Sequence, residues 1–548
     1  MDEIIEKCAL QNAVKHDGKA NMGSVVGAVI QEIPHFKDNM AENSKKIKAI
    51  LDRVNKLSLE EQKKLLQKYP EEVKEKKERD MFAFLNVTGS IKTGFPPGPE
   101  KYPHIGHAKA LILNYELAKK YNGKFVLRFE DTNPELVRKE FYDIMLENFK
   151  WLDVKWDKLD YASDHMQVFY DFAKKLLTEG KAYVCFCSKE IISEGRAKGT
   201  PCVCRNTAPE ENLANFEKMM TSLTEGAAIV RLKIDLQHQN TTMRDPTIMR
   251  IIESEHPRTK KKYRVWPNYD FQNSIMDGIE GITHRMRSKE FELRNALQRY
   301  IQQMLALPQT SIYEFARFNL EGVESSGRII REKIANHELT GWDDPSLTTL
   351  VALRRRGFQA KAIYDFVLST GISKSESTLT WDDLIVHNKR ILDSQCNRYF
   401  FIEHPVKISI HDTPERTVEV KLHPEQNKGK RKFKLTGTFY VDKKDFDQFR
   451  ENEIIRLMDC LNFRKHGDGF IFDSFEYEHF KGKGKHIIHW LTDDAIETNI
   501  FMPNHEVKKG LAEKAVSKLK QGTIIQFERF GFCILDNKKE NIFWFTHR

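Results

Sequence analysis

The 548 residues predict an α/β fold, with a helical region before it and an all-β region after it, and three observations carry that reading. Residues 83–131 read strand, loop rich in glycine and proline, helix, strand, which is one half of a Rossmann-type unit. Residues 281–305, GITHRMRSKEFELRNALQRYIQQML, again read strand, turn, helix and supply the second half of an interrupted sheet. From residue 401 the apolar period becomes two, in VKISIH, TVEVKLH, KFKLTGTFYV, TIIQFERFGFCIL and IFWFTHR. Turns of Gly, Asn and Lys separate these runs, so antiparallel β-barrels are expected.

Taken in order, residues 1–82 are helical, with Ser58 and Glu61 forming a capping box before an apolar-periodic run. The charged stretch EEVKEKKERD at 71–80 reads as a linker or a helix end. Residues 83–184 form the first Rossmann half, with KFVLRFED at 124–131 as a strand and helical patterns at 135–152 and 165–180. An insertion follows at 185–264, in which AAIVRLKID is β-rich. The second half spans 265–320, and 321–400 is a connector with helical patterns in TTLVALRRRGF and AKAIYDFVLSTGI. Residues 401–548 are the β region, and the sequence holds no internal repeat.

The composition, 40% apolar and 30% charged, is that of a soluble globular chain. There is no run of eighteen apolar residues and the first residues are acidic, so no membrane partner and a cytoplasmic location are expected. A net charge of +9 suits a polyanionic partner, although 88 basic against 79 acidic residues is a modest excess. The runs KGKRKFK at 428–434 and KGKGK at 481–485 are either basic contact loops or plain solvated ones.

The segment FPPGPEKYPHIGHAKA at 95–110 predicts a nucleotide phosphate site. Four prolines and two glycines turn the chain tightly into a helix, whose first N–H groups favour an anion. His104 and His107 add donors able to stabilise charge on a transferring phosphate, and Gly106 lets a flat base approach the backbone. Two histidines at a helix start are also consistent with a simple cap. Cys185, Cys187, Cys202 and Cys204 form CFC, fourteen residues, then CVC. Two close pairs of thiolates suit a closed, structural tetrahedral Zn²⁺, the alternative being free cytosolic thiols. The other four cysteines are scattered and read as core.

FPPxPxxYxHIGHAKA resembles the HIGH signature of class I aminoacyl-tRNA synthetases, in particular the glutamyl and glutaminyl branch. The order of parts is similar to its archaeal and eukaryotic glutamyl type, in which β-barrels hold the anticodon. The resemblance implies a ligase that uses ATP and Mg²⁺ to activate L-glutamate and pass it to tRNA(Glu). Whether tRNA(Gln) is also charged stays open, and a monomer that does not bind DNA is expected. It implies ATP contacts at Pro97, His104, Gly106, His107, Ser326 and Arg328, with His104, His107 and Arg328 catalytic. Glu130 would hold the substrate amine, and Tyr269, Asn273 and Arg287 the rest of the amino acid. Arg287 stands where glutamate enzymes carry an arginine, whose guanidinium pairs with a carboxylate but meets a neutral amide donor to donor. The insertion would carry the zinc lobe at the tRNA acceptor end. HELTGWDDPSLTTLVALRRRGF at 337–358 resembles the element joining the catalytic and tRNA-binding halves, with Ser346 in place of an arginine. Arg354, Arg355 and Arg356 in it would contact tRNA or cap a helix.

Two positions depart from the family pattern. The second signature loop falls on Ser325, Ser326, Gly327, Arg328 and Ile329, so the usual lysines are Gly327 and Ile329; Arg328, or Arg331 one turn on, is expected to supply the charge. Gly94 replaces the arginine that begins RFPP, with Lys92 as a replacement. These gaps leave a catalytically weakened tRNA-binding paralogue as the alternative reading, with glutaminyl-tRNA synthetase disfavoured by Arg287.

Overall fold

The computed structural model describes every residue except 1, 16–17, 34–35, 37–39, 70–79, 86, 88, 325 and 377. It separates into two compact units, Met1–Asp80 and Met81–Arg548. The first unit contains α1 (Asp2–Lys15), α2 (Met22–Glu32), α3 (Met40–Val54) and α4 (Leu59–Leu66) around Ile5, Ala9, Val25, Val29 and Ile47. The capping box at α4 forms: the Ser58 N–H donates to Glu61 Oε2 at 2.8 Å and the Glu61 N–H to Ser58 Oγ at 3.4 Å. Most of the charged stretch at 71–80 lies outside the described residues.

In the second unit β1 (Lys92–Phe95), β2 (Lys124–Phe129) and β3 (Lys158–Tyr161) pair in parallel, with α5 (Ile105–Lys120) crossing between β1 and β2. Phe125, Leu127 and Phe129 on one face and Val126 and Arg128 on the other are all buried, as expected of a strand covered on both faces. The insertion forms an antiparallel sheet from β4 (Ala182–Cys185), β5 (Ile229–Leu232), β6 (Thr247–Ile251) and β7 (Val265–Pro267), so its outer strands reach three residues past 185 and 264 at each end. Next, β8 (His284–Ser288) and β9 (Ser311–Phe315) pair in parallel. The Thr283 N–H donates to the Lys92 carbonyl at 2.8 Å and the Lys92 N–H to Thr283 Oγ1 at 2.9 Å. This joins the halves into one order, β3-β2-β1-β8-β9, which reverses direction between β1 and β8. A crevice opens at the carboxyl ends of the strands at such a reversal.

Helices at Gly327–Ala335, Leu350–Arg355, Ala360–Thr370 and Trp381–Gln395 make the connector. It grips the loop before α5: the Ile105 N–H donates to Thr348 O at 3.1 Å, the Leu350 N–H to Pro103 O at 2.8 Å, and Tyr102 stacks on Trp342 with centroids 5.1 Å apart. The three consecutive arginines are structural ties. Arg354 meets Glu147; Arg355 forks onto Asp536 at 2.9 Å twice and also reaches Asp343; buried Arg356 donates to Pro345 O and Thr546 O. Arg355 and Arg356 thus bolt the connector to the β region. A run of arginines at a helix end gives no sign of partners lying about 180 residues on.

The β region contains two seven-stranded sheets, each closed by one extended segment. Asn397–Tyr399 pairs with Ile524–Phe527 at one edge of the first sheet, and Phe401–Ile402, one residue on, with Val507–Ala512 at the other. His486–Ile488 and Trp490–Thr492 join the two edges of the second sheet in the same way. A segment serving both edges obliges the sheet to curl into a barrel. Most pairings are antiparallel, but four are parallel, two of them at these seams. A period of two reports which face is buried, and it says nothing of strand direction. No helix among the described residues is long and apolar enough to cross a membrane.

Candidate active site

A cavity of about 840 Å³ lies at the carboxyl ends of β1 and β8, where the sheet order reverses. Its walls bring together the loop before α5, the ends of β2 and β8, and the start of the helix Tyr269–Glu280.

At one end stand His104, Gly106 and His107. His104 is the N-cap of α5; its Nδ1 accepts from the Gly106 N–H at 3.0 Å, and His107 Nδ1 accepts from the His104 N–H at 3.2 Å. Burial, then the neighbouring His107 and Lys101, hold His104 well below the usual histidine range, and burial and Lys101 push His107 down to about 3. Both rings are therefore neutral at pH 7. With Nδ1 accepting, each carries its proton on Nε2 and keeps one donor. One histidine pair therefore caps the helix through Nδ1 and leaves an Nε2–H on each ring able to donate to an anion. A Cβ on Gly106 would lie 2.8 Å from His104 Cε1, so the glycine is needed to let that ring fold back, besides any approach by a base.

At the other end Glu130, Tyr269 and Arg287 line the wall. Arg287 is 6% exposed and donates to Asn295 Oδ1 at 3.1 Å, Gln298 Oε1 at 3.0 Å and the Tyr269 hydroxyl. All three partners are neutral, and no carboxylate pairs with it among the described residues. A buried guanidinium so held attracts an anion into the cavity. Glu130, 8% exposed, accepts from Arg128 at 3.3 Å and Gln272 at 3.4 Å. Burial nevertheless raises its carboxyl to about 7, against the pull of Arg128 and Arg285. That carboxylate gains from an arriving cation. An anion seat and a cation seat thus share one cavity.

Behind this wall lies a buried network. Arg128 bonds Glu280, Asp277 and Asn273, and Arg285 forks onto Asp277 while donating to Gly94 O at 2.9 Å. Asn273 does not reach the cavity. It shares a helix with Tyr269 but turns inward, accepting from Arg128 at 3.0 Å and donating to Gln298 at 3.0 Å. Pro97 also stays behind the wall, its carbonyl accepting from the Glu130 N–H, while Pro96 and Gly98 line it. Lys92 is committed to the Glu280 carbonyl at 2.8 Å and does not stand in for the arginine absent at Gly94. Ser326 holds the N-cap position of the helix Gly327–Ala335 without a side-chain capping bond, Arg328 is exposed, and neither belongs to the cavity wall. Arg331 donates to Glu100 O at 3.3 Å.

Several wall or supporting residues had no sequence signal: Arg128 and Arg285 alternate with apolar neighbours like any strand residue, and Asp277 and Glu280 read as an ordinary helix face. Lys101, in the loop itself, lines the cavity at a position that the motif leaves variable.

The four cysteines converge. All Sγ atoms lie within 4.8 Å of one another, with Cys185 to Cys202 at 3.8 Å and Cys187 to Cys204 at 3.9 Å. Thiolates around a tetrahedral Zn²⁺ at about 2.3 Å stand about 3.8 Å apart, so the set fits that ion.

The profile described as tRNA synthetases class I (E and Q), catalytic domain, matches residues 90–394, and two profiles of the corresponding anti-codon binding domain match 396–471 and 487–536. The glutamate–tRNA ligase of Pyrococcus furiosus is 39% identical over 563 residues, covering 99% of this chain and 98% of its own. That of Thermococcus kodakarensis is 37% identical over 557 residues, covering 98% and 97%. That of Methanocaldococcus jannaschii is 36% identical over 557 residues and covers all of both chains. Likeness on this scale, running through the catalytic sheet and both barrels, makes the chain a member of the class I tRNA synthetase (E and Q) family.

Proposed function

We propose that this protein is a glutamate–tRNA ligase. The observation that carries the choice of amino acid is Arg287, a buried cation with only neutral partners, in one cavity with Glu130. A γ-carboxylate pairs with the guanidinium and an α-ammonium with Glu130, whereas glutamine would bring an amide N–H against donors. Tyr269 borders the anion seat, and Asn273 positions Gln298 and Arg128 from behind.

The substrate α-carboxylate attacks the α-phosphorus of ATP. A P–O bond forms, the bond to the β-phosphate oxygen breaks, and pyrophosphate leaves with the electron pair. A terminal ribose hydroxyl of tRNA then attacks the acyl carbon and AMP leaves. Both steps call for positioning and charge stabilisation rather than covalent help from the protein. His104 and His107 donate through Nε2 to phosphate oxygens, and Gly106 backs the base. Mg²⁺ bound with ATP offsets phosphate charge. Zn²⁺ on Cys185, Cys187, Cys202 and Cys204 staples the insertion, and the barrels hold tRNA(Glu), with charging of tRNA(Gln) to be read from the same assay. The cytoplasm is the matching location, and the protein acts as a monomer. A paralogue that binds tRNA without charging it is the second reading, favoured by the exposure of Arg328 and the gap at Gly327.

Purified protein with ATP, Mg²⁺ and tRNA should form glutamyl-tRNA in strong preference to glutaminyl-tRNA. His104→Ala should lower the rate at least about tenfold while leaving tRNA affinity nearly unchanged, because it acts on phosphate. Tight tRNA binding without any glutamyl-tRNA would establish the paralogue.

A further inference from the structure

Seven cationic side chains border the cavity, and six are already engaged. Lys109 donates to Ala316 O at 3.1 Å, Arg250 faces Glu135, Arg294 meets Asp270, and Arg317 meets Glu290. Arg285 is tied to Asp277 and Arg287 to its neutral partners. Lys101 is the exception: among the described residues its ammonium makes neither a hydrogen bond nor an ion pair. It lies in the histidine end of the cavity, three residues before His104.

The contact across from it explains its position. An added Cβ at Gly327 would stand 3.0 Å from Lys101 Cδ and 3.5 Å from its Cβ, so the lysine stem is packed over the glycine. The residue that lacks a charge and the residue that brings an unexpected one therefore share the same few ångströms. Arg328, the next residue along, is exposed and off the wall.

We propose that Lys101 is a catalytic residue of amino acid activation, its ammonium contacting the β- and γ-phosphate oxygens of ATP and stabilising the departing pyrophosphate from the α5-loop side of the cavity. The inference rests on the ligase reading above. As the bond from the α-phosphorus to the bridging oxygen breaks, negative charge gathers on pyrophosphate, and an ammonium with no other partner loses nothing in meeting it. Lys101 enters no proton transfer, so no bond to it forms or breaks. Burial, then Arg317, pull its ammonium below the usual lysine value, while Glu100 and Glu290 oppose them. An entering polyanion relieves that strain. The same charge lowers both histidines, as expected of a cation close to their rings.

The test is aminoacylation of tRNA by the full-length protein, with glutamate KM, tRNA affinity and calorimetric binding of inorganic pyrophosphate with Mg²⁺ as separate readouts. Lys101→Met should lower kcat about a hundredfold. It should weaken pyrophosphate binding at least about tenfold while glutamate KM and tRNA affinity stay within about twofold. Lys101→Arg should keep most of the activity. The double variant Lys101→Gly with Gly327→Lys should regain at least about tenfold over Lys101→Met, since the stem that blocks position 327 has been removed. Lys101→Met with kcat and pyrophosphate affinity near wild type overturns the proposal. So does a loss that falls on glutamate KM and is not restored by Lys101→Arg or by the double variant. If the wild-type protein charges no tRNA, the ligase reading fails, and pyrophosphate binding alone then decides whether Lys101 seats a polyphosphate.

Discussion

The two ends of the cavity are built on opposite principles. Behind Glu130 and Arg287 stands a buried layer in which Arg128, Arg285, Asp277 and Glu280 neutralise one another. At the histidine end the rings are neutral, and Lys101, its stem packed over Gly327, is the one cavity-lining Lys or Arg without a hydrogen bond or ion pair among the described residues. On the proposed reading, one end discriminates a small ligand by fixed, desolvated geometry, which works only if the partners cannot relax. On the same reading the other receives a phosphate chain whose charge shifts during the reaction, and an ammonium not committed to a carboxylate is free to meet it. The difference places committed charges where identity would be read and an uncommitted one where charge would move.

The comparison breaks most sharply at Arg287. Arg287→Gln should cost kcat/KM for glutamate on the order of a thousandfold, chiefly through KM, because the ligand's carboxylate is left buried without a counter-charge. Steady-state charging of tRNA at varied glutamate measures it, and a loss confined to kcat would mean that the seat is not pre-formed.

A smaller effect should come from pH. The Glu130 carboxyl, raised to about 7 by burial, must be ionised to hold an ammonium, so kcat/KM for glutamate should rise roughly tenfold between pH 6 and pH 8 and then level off. For stability the sign is opposite: an acid with a raised folded value favours the folded state below its unfolded value, and that contribution is lost as pH rises through about 7. Glu130→Gln should flatten the profile. A profile set at the histidine end would instead persist in that variant.

The smallest effect on either end is expected from the cysteine cluster. Cys202→Ser should lower zinc content from one per chain towards zero and speed hydrogen exchange in residues 180–210. Glutamate KM should stay within about threefold, since the cluster lies in the inserted sheet rather than on the cavity wall. Metal analysis with exchange mass spectrometry reads both, and zinc near zero in the wild type would remove the site.

What could be read from the residues follows the range of the forces involved. HIGH announced itself because its proline, glycine and histidine spacing serves a local turn and cap. The cysteines did so because a metal needs few and specific letters. The seam between Lys92 and Thr283, the barrel closures, and the network of Arg128 with Asp277 and Glu280 pair residues from about 30 to nearly 200 positions apart, and each partner alone looks ordinary. Tyr269 and Asn273 show the limit from the other side. Their spacing of four, one helical turn, predicts that both face one cavity, yet Tyr269 meets the cavity and Asn273 the core, because this helix is buried on nearly every side.

The extended segment Asn397–Ile402 has a consequence for the order in which the molecule is made. Its sheet takes its other strands from residues 496–547, and the whole second barrel, 405–492, is threaded between. The inner barrel can close as soon as its own residues exist, whereas the outer one keeps an open edge until Ile542–His547 takes its interior place and His547 meets Asn388 of the connector. High contact order is thereby concentrated in the strands made after the inner barrel. A nascent chain can carry a finished catalytic sheet and inner barrel while the strands of its outer barrel still expose unpaired edges, which close only once Ile542–His547 is available.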